Sequence, residues 1–304
     1  MSNIGAPRQD APAALAGLRV LDVTGTLGAY AGRLFAQLGA DVILVEPPGG
    51  SPGRRRTPFI GDRRDAEASL SFAYLNAGKR SIVLDLDEAS GRDTFRAIAA
   101  GVDLVIEAER PGVMAARGLG YSELRAKRPS IVMTSITPFG QNGPYADWLA
   151  EDIVGLATGG MLYLAGYPDT APMAACGEQS FAGAGLFGAV GSLIAVLDAE
   201  QTGQGSHVDV SMQQSVVLGL ENALQFYELE GTVRRRNAGG QRQAGTGVFP
   251  CADGHVYLMA GGVASNRFWG VTTEWLVEVG APGAEALREP CWLQQTFLDS
   301  KGAA

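Results

Sequence analysis

Residues 18–46 read LRVLDVTGTLGAYAGRLFAQLGADVILVE, and this stretch decides the fold. Leu18–Val23 and Val42–Glu46 are short apolar runs of strand length, and Ala29–Leu38 between them has leucines one helical turn apart. Strand, helix and strand in this order form a β-α-β unit, which requires parallel strands with helices on the faces of the sheet. The sequence therefore predicts an α/β fold built on a parallel sheet.

The same alternation continues to about residue 140 and is followed by longer helices. The helix predicted over 180–200 carries no charge before Asp198, so we expect it to be nearly fully buried. The fold class is therefore α/β, with a Rossmann-like parallel sheet in a large domain. The other predicted strands are 81–86, 102–106, 130–136 and 208–212, and the other predicted helices are 88–100, 121–127 and 213–229.

A change of composition at residues 231–246 marks a predicted domain boundary. The segment is polar, basic and Gly-rich, and it contains three consecutive arginines at 234–236, which is typical of a linker or surface loop. A hairpin is predicted over 248–259 and a helix over 268–276, so the part after the boundary is expected to be α+β. The predicted organisation is a disordered lead-in over 1–14, a large domain over 15–230, a linker over 231–246 and a smaller domain over 247–304.

The bulk composition argues against several classes of protein. The net charge of −8 disfavours non-specific binding of nucleic acid. No signal peptide or membrane-spanning apolar run is apparent, so we expect a cytoplasmic protein with no membrane partner. The turn between the first predicted strand and helix lacks the G-x-G-x-x-G pattern of a dinucleotide site, which argues against an NAD-binding protein. No metal site is predicted, because the cysteines and histidines are too scattered; they are Cys176, Cys251, Cys291, His207 and His255.

An acidic pair, Glu151 and Asp152, follows the Gly- and Pro-punctuated loop of residues 140–145 and opens an apolar run. Burying a charge at such a place costs several kcal/mol unless the charge is paired. The residues alone leave two interpretations open. The acids cap a helix, which the helix dipole favours and which is the more common case, or one of them is a catalytic group.

Several separate motifs, in the right order, resemble the class III CoA-transferases, the group of formyl-CoA transferase, carnitine CoA-transferase and α-methylacyl-CoA racemase. The similarity extends from residue 15 to about residue 268. It implies a Rossmann-like fold, coenzyme A and acyl-CoA as substrates without a metal, and a small carboxylic acid as the second substrate. The motifs are LGADVILVE at 38–46, NAGKRSIVLDL at 76–86, RPGV at 110–113, GLGY at 118–121, FGQNGPY at 139–145, TGQG at 202–205 and DVS at 209–211.

The resemblance assigns catalytic roles to two regions. The carboxylate that follows the Gly-Gln-x-Gly-Pro loop is a catalytic aspartate in the family, and Asp152 matches it. Such a carboxylate forms a mixed anhydride and then an aspartyl-CoA thioester, which divides one difficult acyl transfer into easier steps. Gly239, Gly240 and Gln241 match part of a glycine loop that closes over these intermediates and offers N–H groups to an oxyanion. A flexible linker is an equally good interpretation of that loop.

The resemblance also places residues at the coenzyme. It implies that Lys79 and Arg117 lie near the nucleotide phosphates, where a cation forms charge-assisted hydrogen bonds. Leu75 and Asn76 would lie beside the adenine. Glu109 departs from the family pattern, because it adds a negative charge before the RPGV motif where a CoA contact is usual.

The predicted function is that of a CoA-transferase, which moves CoA from an acyl-CoA donor to a carboxylic acid acceptor through the aspartyl anhydride and thioester. Relative to the family the small domain looks truncated at its C-terminus, and the family implies an interlocked homodimer or a heterodimer with a longer paralogue. One alternative is a non-catalytic or partner-dependent subunit of a heteromer. The second is an acyl-CoA racemase or isomerase. This reaction needs both an acid and a base, and the loop of residues 137–140 lacks a histidine for the second proton transfer, which argues against this alternative.

Overall fold

The computed structural model describes residues 13–220, 222–236, 245–259 and 266–294. Within these ranges the contacts separate two compact units. The first contains the residues up to Tyr163 and those from Met173 to Arg234, and the second contains Leu164–Pro172 with the described residues from Arg235 onward. The domain boundaries predicted from composition remain predictions.

The first unit is built on a six-stranded sheet in the order β3-β2-β1-β4-β5-β6, in which every neighbouring pair is parallel. This confirms the predicted α/β class. The chain runs outward from β1 to β3 and then returns to β4 on the other side of β1, so the strand order reverses between β1 and β4. The strands are β1 (Arg19–Val23), β2 (Asp41–Glu46), β3 (Arg80–Val83), β4 (Leu104–Glu107), β5 (Val132–Thr137) and β6 (His207–Ser211).

Helices cover both faces of this sheet. The α-helices in the described part of the chain up to residue 230 are α1 (Ala29–Gln37), α2 (Leu70–Leu75), α3 (Ala89–Ala99), α4 (Val113–Ala116), α5 (Tyr121–Lys127), α6 (Asp152–Thr158), α7 (Met161–Leu164), α8 (Gln179–Thr202), α9 (Met212–Leu218) and α10 (Asn222–Glu230). Alternate strand residues face opposite sides. Val20 packs in one core with Phe35 of α1 and Phe181 of α8, while Leu21 packs in the other with Phe95 of α3.

The structure corrects three expectations about the helices. α8 is not nearly fully buried, because one stripe of apolar side chains is 38 to 64% exposed: Leu186, Phe187, Val190, Ile194 and Leu197. α8 is also long and apolar enough to cross a membrane, contrary to the expectation from sequence, but it packs on α1, β5 and α9 as a core helix does. The helix predicted over 213–229 is two helices, since α9 ends at Leu218 and α10 begins at Asn222.

The second unit contains the predicted hairpin. Its strands, β7 (Thr246–Cys251) and β8 (Gly254–Met259), pair antiparallel. The helix α11 (Asn266–Glu278) follows, and its Trp269 is buried and stacks on Trp292 with ring centroids 5.5 Å apart.

Candidate functional site

A crevice lies beside the loop of residues 24–26, which follows β1. Thr26 lines a large cavity of about 780 Å³, and Thr24 and Gly25 line a second cavity of about 300 Å³. A third cavity of about 10 Å³ touches all three loop residues. The lining residues all belong to the first unit. Ligands of open α/β sheets bind outside the carboxyl ends of the strands, at the point where the strand order reverses. This crevice is therefore the expected position of a ligand site.

Asp152 is held by the start of helix α8. Its Oδ1 accepts hydrogen bonds from the backbone N–H of Ser180 at 2.8 Å and from the Ser180 hydroxyl at 2.7 Å. Ser180 is fully buried and is the second residue of α8, where backbone N–H groups lack helical partners and the helix dipole favours an anion. The carboxylate is therefore fixed by one oxygen.

The other carboxylate oxygen of Asp152 is available for chemistry. Among the described residues, the hydrogen bonds to this carboxylate all end on Oδ1. Neither acid caps α6 through its side chain. Glu151 is the N-cap residue of α6 but makes no side-chain cap bond, and Asp152 binds the start of α8 rather than that of its own helix. A carboxylate with one oxygen anchored and one unbonded can present a lone pair in a defined direction.

The large cavity is lined by residues at the start of α8, the helix end that binds this carboxylate. Ser180 lies between Gln179 and Phe181, both of which line the cavity. Glu178 also lines it and forms an ion pair with Arg56, another lining residue. Burial raises the pKa of the Glu178 carboxyl, and repulsion from Asp152 and Glu151 adds to that rise, whereas Arg56 opposes it.

Close packing keeps α6 against α8. A Cβ at Gly155 would lie 2.8 Å from the Ser180 hydroxyl oxygen and 2.7 Å from Cε of Met212. Only glycine fits at position 155 without a shift of these neighbours. Gly155 therefore lets the starts of α6 and α8 approach closely enough to share hydrogen bonds.

Lys79 is buried inside the domain. Its ammonium donates to Asp22 Oδ2 at 2.7 Å, to the carbonyl oxygen of Ala29 at 2.8 Å and to Asn76 Oδ1 at 2.8 Å. An ammonium has three hydrogens, so none remains for a phosphate. Asn76 is likewise engaged, because its Nδ2 donates to the carbonyl oxygen of Phe72 at 3.0 Å. The roles at CoA predicted for Lys79 and Asn76 remain predictions, and Asn76 lines the cavity of about 10 Å³.

Leu75 and Arg117, the other two predicted CoA contacts, also line the crevice, in different parts of it. Leu75 lines the large cavity and Arg117 the 300 Å³ cavity. The Arg117 guanidinium pairs with Asp87 at 2.7 Å and with Glu109 at 3.1 Å. A phosphate at this point would have to share Arg117 with two carboxylates. Gly239, Gly240 and Gln241 lie outside the described residues.

The loop that follows β2 is fixed by an ion pair. Glu46 is 2% exposed and binds Arg54 through two hydrogen bonds of 2.6 and 2.8 Å. The bond from Arg54 is the main reason that the pKa of Glu46 falls to about 2. This bidentate pair holds the loop of residues 51–56, including Ser51 and Arg56, at the edge of the crevice.

A row of polar side chains crosses β4, β5 and β6, in which Glu107 and Ser135 are buried and Asp209 is exposed. Glu107 lies beside Ser135, and Ser135 lies beside Asp209 in the parallel register. The Ser135 hydroxyl is 2.8 Å from Nε2 of His207, and both Asp209 oxygens accept the backbone N–H of Gln141. Asp209 thereby ties the loop that leads to Asp152 to strand β6.

Glu107 gives this domain a specific pH dependence. Burial raises its pKa from 4.5 to about 7, so the folded protein binds more protons than the unfolded chain between these values. Stability from this group is complete below pH 4.5 and is lost as the pH rises through 7, by about 3 kcal/mol at 1.36 kcal/mol per pKa unit. We expect Glu107→Gln to unfold at higher denaturant concentration than wild type at pH 8 and to differ little at pH 5.

Urea unfolding at both pH values measures this difference. The comparison is made against wild type at each pH because the pKa of His207 is lowered by burial, which acts in the opposite direction below pH 6.5. Equal effects of Glu107→Gln at pH 5 and pH 8 would contradict the raised pKa of Glu107.

No group of three His, Cys, Asp or Glu side chains within the described part of the chain could hold a metal ion. Sequence reasoning missed Ser180, Glu178 and Arg56. A serine at the start of a predicted helix is a recognisable signal. Its pairing with an aspartate 28 positions away had no signal in the sequence.

Comparison with known proteins identifies the family. Residues 15–281 match the family model described as CoA-transferase family III. The chain is 39% identical over 284 residues to the succinyl-CoA:(R)-benzylsuccinate CoA-transferase subunit BbsE of Thauera aromatica, an alignment that covers 93% of this chain and 68% of that protein. It is 34% identical over 254 residues to the succinyl-CoA–D-citramalate CoA-transferase of Chloroflexus aurantiacus, covering 83% and 62%.

A solved structure supports the same assignment. A CAIB/BAIF family protein from Brucella suis superposes with a TM-score of 0.78 at 27% identity, over 95% of this chain and 75% of that one. The chain therefore belongs to CoA-transferase family III, a family of transferases. It spans 56 to 68% of the length of the benzylsuccinate, citramalate and oxalate CoA-transferases that it matches.

Proposed function

We propose that the protein moves CoA from an acyl-CoA donor to a carboxylic acid, with Asp152 as the covalent nucleophile. The observation that carries this proposal is the one-sided hydrogen bonding of Asp152 to Ser180, whose chain neighbours Gln179 and Phe181 line a large cavity. Oδ1 is anchored by Ser180, and Oδ2 has no bond among the described residues. Membership of CoA-transferase family III supports the reaction class.

The proposed reaction balances without any other reactant. Oδ2 of Asp152 attacks the thioester carbonyl carbon, and the C–S bond breaks to give a mixed anhydride and CoA thiolate. The thiolate then attacks the aspartyl carbonyl carbon, which releases the donor acid and leaves an aspartyl-CoA thioester. The acceptor carboxylate attacks that thioester, and the expelled thiolate attacks the acceptor's acyl carbon to give the new acyl-CoA and restore Asp152. Exclusion of water protects both anhydrides.

The substrates that we propose are dicarboxylic acids. The relatives' names include benzylsuccinate, citramalate, malate and glutarate as well as succinyl-CoA. The crevice supports a long CoA ligand, because its cavities adjoin one another from Arg117 past residues 24–26 to the neighbours of Ser180. Leu75 lies along this path.

Intact-mass spectrometry tests the covalent mechanism. The protein is incubated with succinyl-CoA, acetyl-CoA and other acyl-CoAs, and the expected product gains the mass of CoA less one water. Hydroxylamine should convert this adduct to a hydroxamate that peptide mapping places on Asp152. A wild-type protein that acquires no adduct with any donor, alone or with a partner subunit, would contradict the mechanism.

A partner-dependent subunit is the second candidate function. Three relatives are named as subunits: the benzylsuccinate enzyme's BbsE and the alpha and beta subunits of a malate CoA-transferase. The exposed apolar stripe of α8 offers a surface for a second chain, which supports a dimer or heterodimer. An adduct that forms only after mixing with a longer paralogue would favour this candidate.

The Ser180 hydroxyl provides a separate prediction. Ser180→Ala keeps the backbone N–H at Oδ1 of Asp152 but removes one hydrogen bond to a charged group, which is worth about 1.5–3 kcal/mol. We expect transfer to slow by about 10- to 100-fold, measured as initial rates with saturating donor.

The matched control for this variant lies on the same helix. Ser192 is also fully buried, and its hydroxyl donates to the carbonyl oxygen of Gly188 at 2.6 Å, far along α8 from Asp152. Ser192→Ala should lower the free energy of unfolding without slowing transfer. Equal rates for the two variants would show that the Ser180 hydroxyl only stabilises the fold.

A further inference from the structure

The wall of the large cavity combines one cation with several rings. Of the residues that line this cavity, Arg56 carries the positive charge. Tyr30, Tyr74 and Phe181 contribute aromatic side chains to the same wall. A cavity of about 780 Å³ is within the range that holds a substituted organic molecule, and it is larger than a four-carbon acid needs.

The partner of Arg56 is a carboxylate that belongs to the protein itself. Glu178 forms the ion pair, and the two side chains are 37% and 31% exposed. Pairs with this much contact with water contribute little net stability, about 0–1 kcal/mol, so they exchange partners easily. Asp152 and Glu151 repel the Glu178 carboxylate, which weakens its hold on this position.

One aromatic ring of the cavity wall, that of Tyr74, is held in position by Arg33. The Arg33 guanidinium stacks on the Tyr74 ring with its central carbon 3.6 Å from the ring centroid. Nε and Nη1 of Arg33 are buried and have no hydrogen-bond partner among the described residues, where the stacking is the contact that places this guanidinium. Tyr74 is thus a fixed, partly exposed apolar surface next to a charged pair.

We propose that Arg56 binds the non-reacting carboxylate of a dicarboxylic acid in place of Glu178, while an aromatic or other apolar substituent of that acid lies against Tyr30, Tyr74 and Phe181. The guanidinium suits this role because its planar fork binds a carboxylate through two parallel hydrogen bonds. Glu178 pairs with Arg56 in the structure, and the bound acid would displace it into water. The role of the bound acid as CoA acceptor rests on the proposed function, whereas the binding itself does not.

Calorimetry on the full chain without any CoA tests the proposal. The probes are benzylsuccinate, 4-phenylbutyrate, which lacks one carboxylate of benzylsuccinate, and succinate, which lacks the benzyl group. We expect the wild type to bind benzylsuccinate at least tenfold more tightly than either of the other two. Arg56→Gln should weaken benzylsuccinate binding tenfold or more and change 4-phenylbutyrate binding by less than twofold.

Two further variants sharpen the test. Glu178→Gln removes the competing charge and should strengthen benzylsuccinate binding severalfold. Arg63→Gln is the matched control, since Arg63 lies seven residues from Arg56, pairs with Asp65 and does not line the cavity. Circular dichroism verifies that each variant is folded, and Arg56→Lys, which keeps the charge without the fork, should bind benzylsuccinate with intermediate affinity.

The outcomes separate this inference from the proposed function. Wild-type protein that does not prefer benzylsuccinate, or Arg56→Gln that behaves like Arg63→Gln, would overturn the assignment of Arg56. Either result leaves the Asp152 adduct to be judged by mass spectrometry with acetyl-CoA, a donor that has no second carboxylate. Loss of the adduct with retained binding of the diacid would instead remove the transferase mechanism.

Discussion

Asp152→Asn should reduce CoA transfer by several orders of magnitude, about 10⁴-fold or more, as removal of a covalent nucleophile does in other enzymes. Asparagine keeps the size of the side chain, and its amide oxygen can still accept the hydrogen bonds that Ser180 gives to Oδ1 at 2.7 and 2.8 Å. The variant therefore loses the charge and the attacking oxygen while the start of α8 stays capped. Initial rates with a fixed donor and acceptor measure the loss.

Glu151→Gln is the control for this result. Glu151 immediately precedes Asp152 and is exposed, and it makes no side-chain cap bond to α6. The transfer rate of Glu151→Gln should be no more than a few fold below that of wild type. If Asp152→Asn transfers acyl groups at close to the wild-type rate, the covalent role of Asp152 is wrong, and the partner-dependent subunit becomes the better description.

Lys79→Ala should cost the fold about 3–5 kcal/mol, the usual price of leaving one charge of a buried pair alone. Asp22 is 0% and Lys79 1% exposed, and their charged atoms are 2.7 Å apart. Thr24 also donates to Asp22 through its N–H and its hydroxyl, so the carboxylate is held in place even when its cation is gone. Urea unfolding measures the free-energy difference.

The neighbouring position supplies a matched control. Arg80 pairs with Asp41, but these side chains are 64% and 46% exposed, so Arg80→Ala should cost less than about 1 kcal/mol. The double variant Asp22→Asn with Lys79→Met removes both charges and should recover much of the loss. If that variant binds CoA as wild type does, Lys79 is not a phosphate ligand; similar costs for Lys79→Ala and Arg80→Ala would contradict the buried pair.

The architecture could be predicted from the sequence where the local hydrophobic pattern agrees with the packing of the strand or helix in the structure. The predicted strands Leu18–Val23 and Val42–Glu46 each match β1 and β2 to within one residue, and the helix between them ends one residue from its predicted limit. The burial of α8 could not be predicted, because an apolar composition does not reveal which face of a helix has a neighbour. Leu186 and Ile194 are as apolar as Val196, yet only Val196 is buried.

The candidate site was predictable only in part. The position of Asp152 after its loop was apparent from the family motif, while its binding to Ser180 depends on how α6 and α8 meet. Lys79 lies in a motif that suggests a coenzyme contact, but Asp22, which is 57 residues earlier, neutralises it. Contacts between distant segments are set by the three-dimensional packing, and a single sequence carries no direct record of them.

The anchoring of Oδ1 has a consequence for the second half of the proposed reaction. Asp152 begins as the nucleophile, but once it carries the acyl group its own carbonyl carbon becomes the electrophile that CoA thiolate attacks. Negative charge then accumulates on Oδ1, where the N–H and the hydroxyl of Ser180 already point. The same two donors thus orient the side chain while it attacks and stabilise it while it is attacked, so the start of α8 serves both directions of acyl exchange without rearrangement.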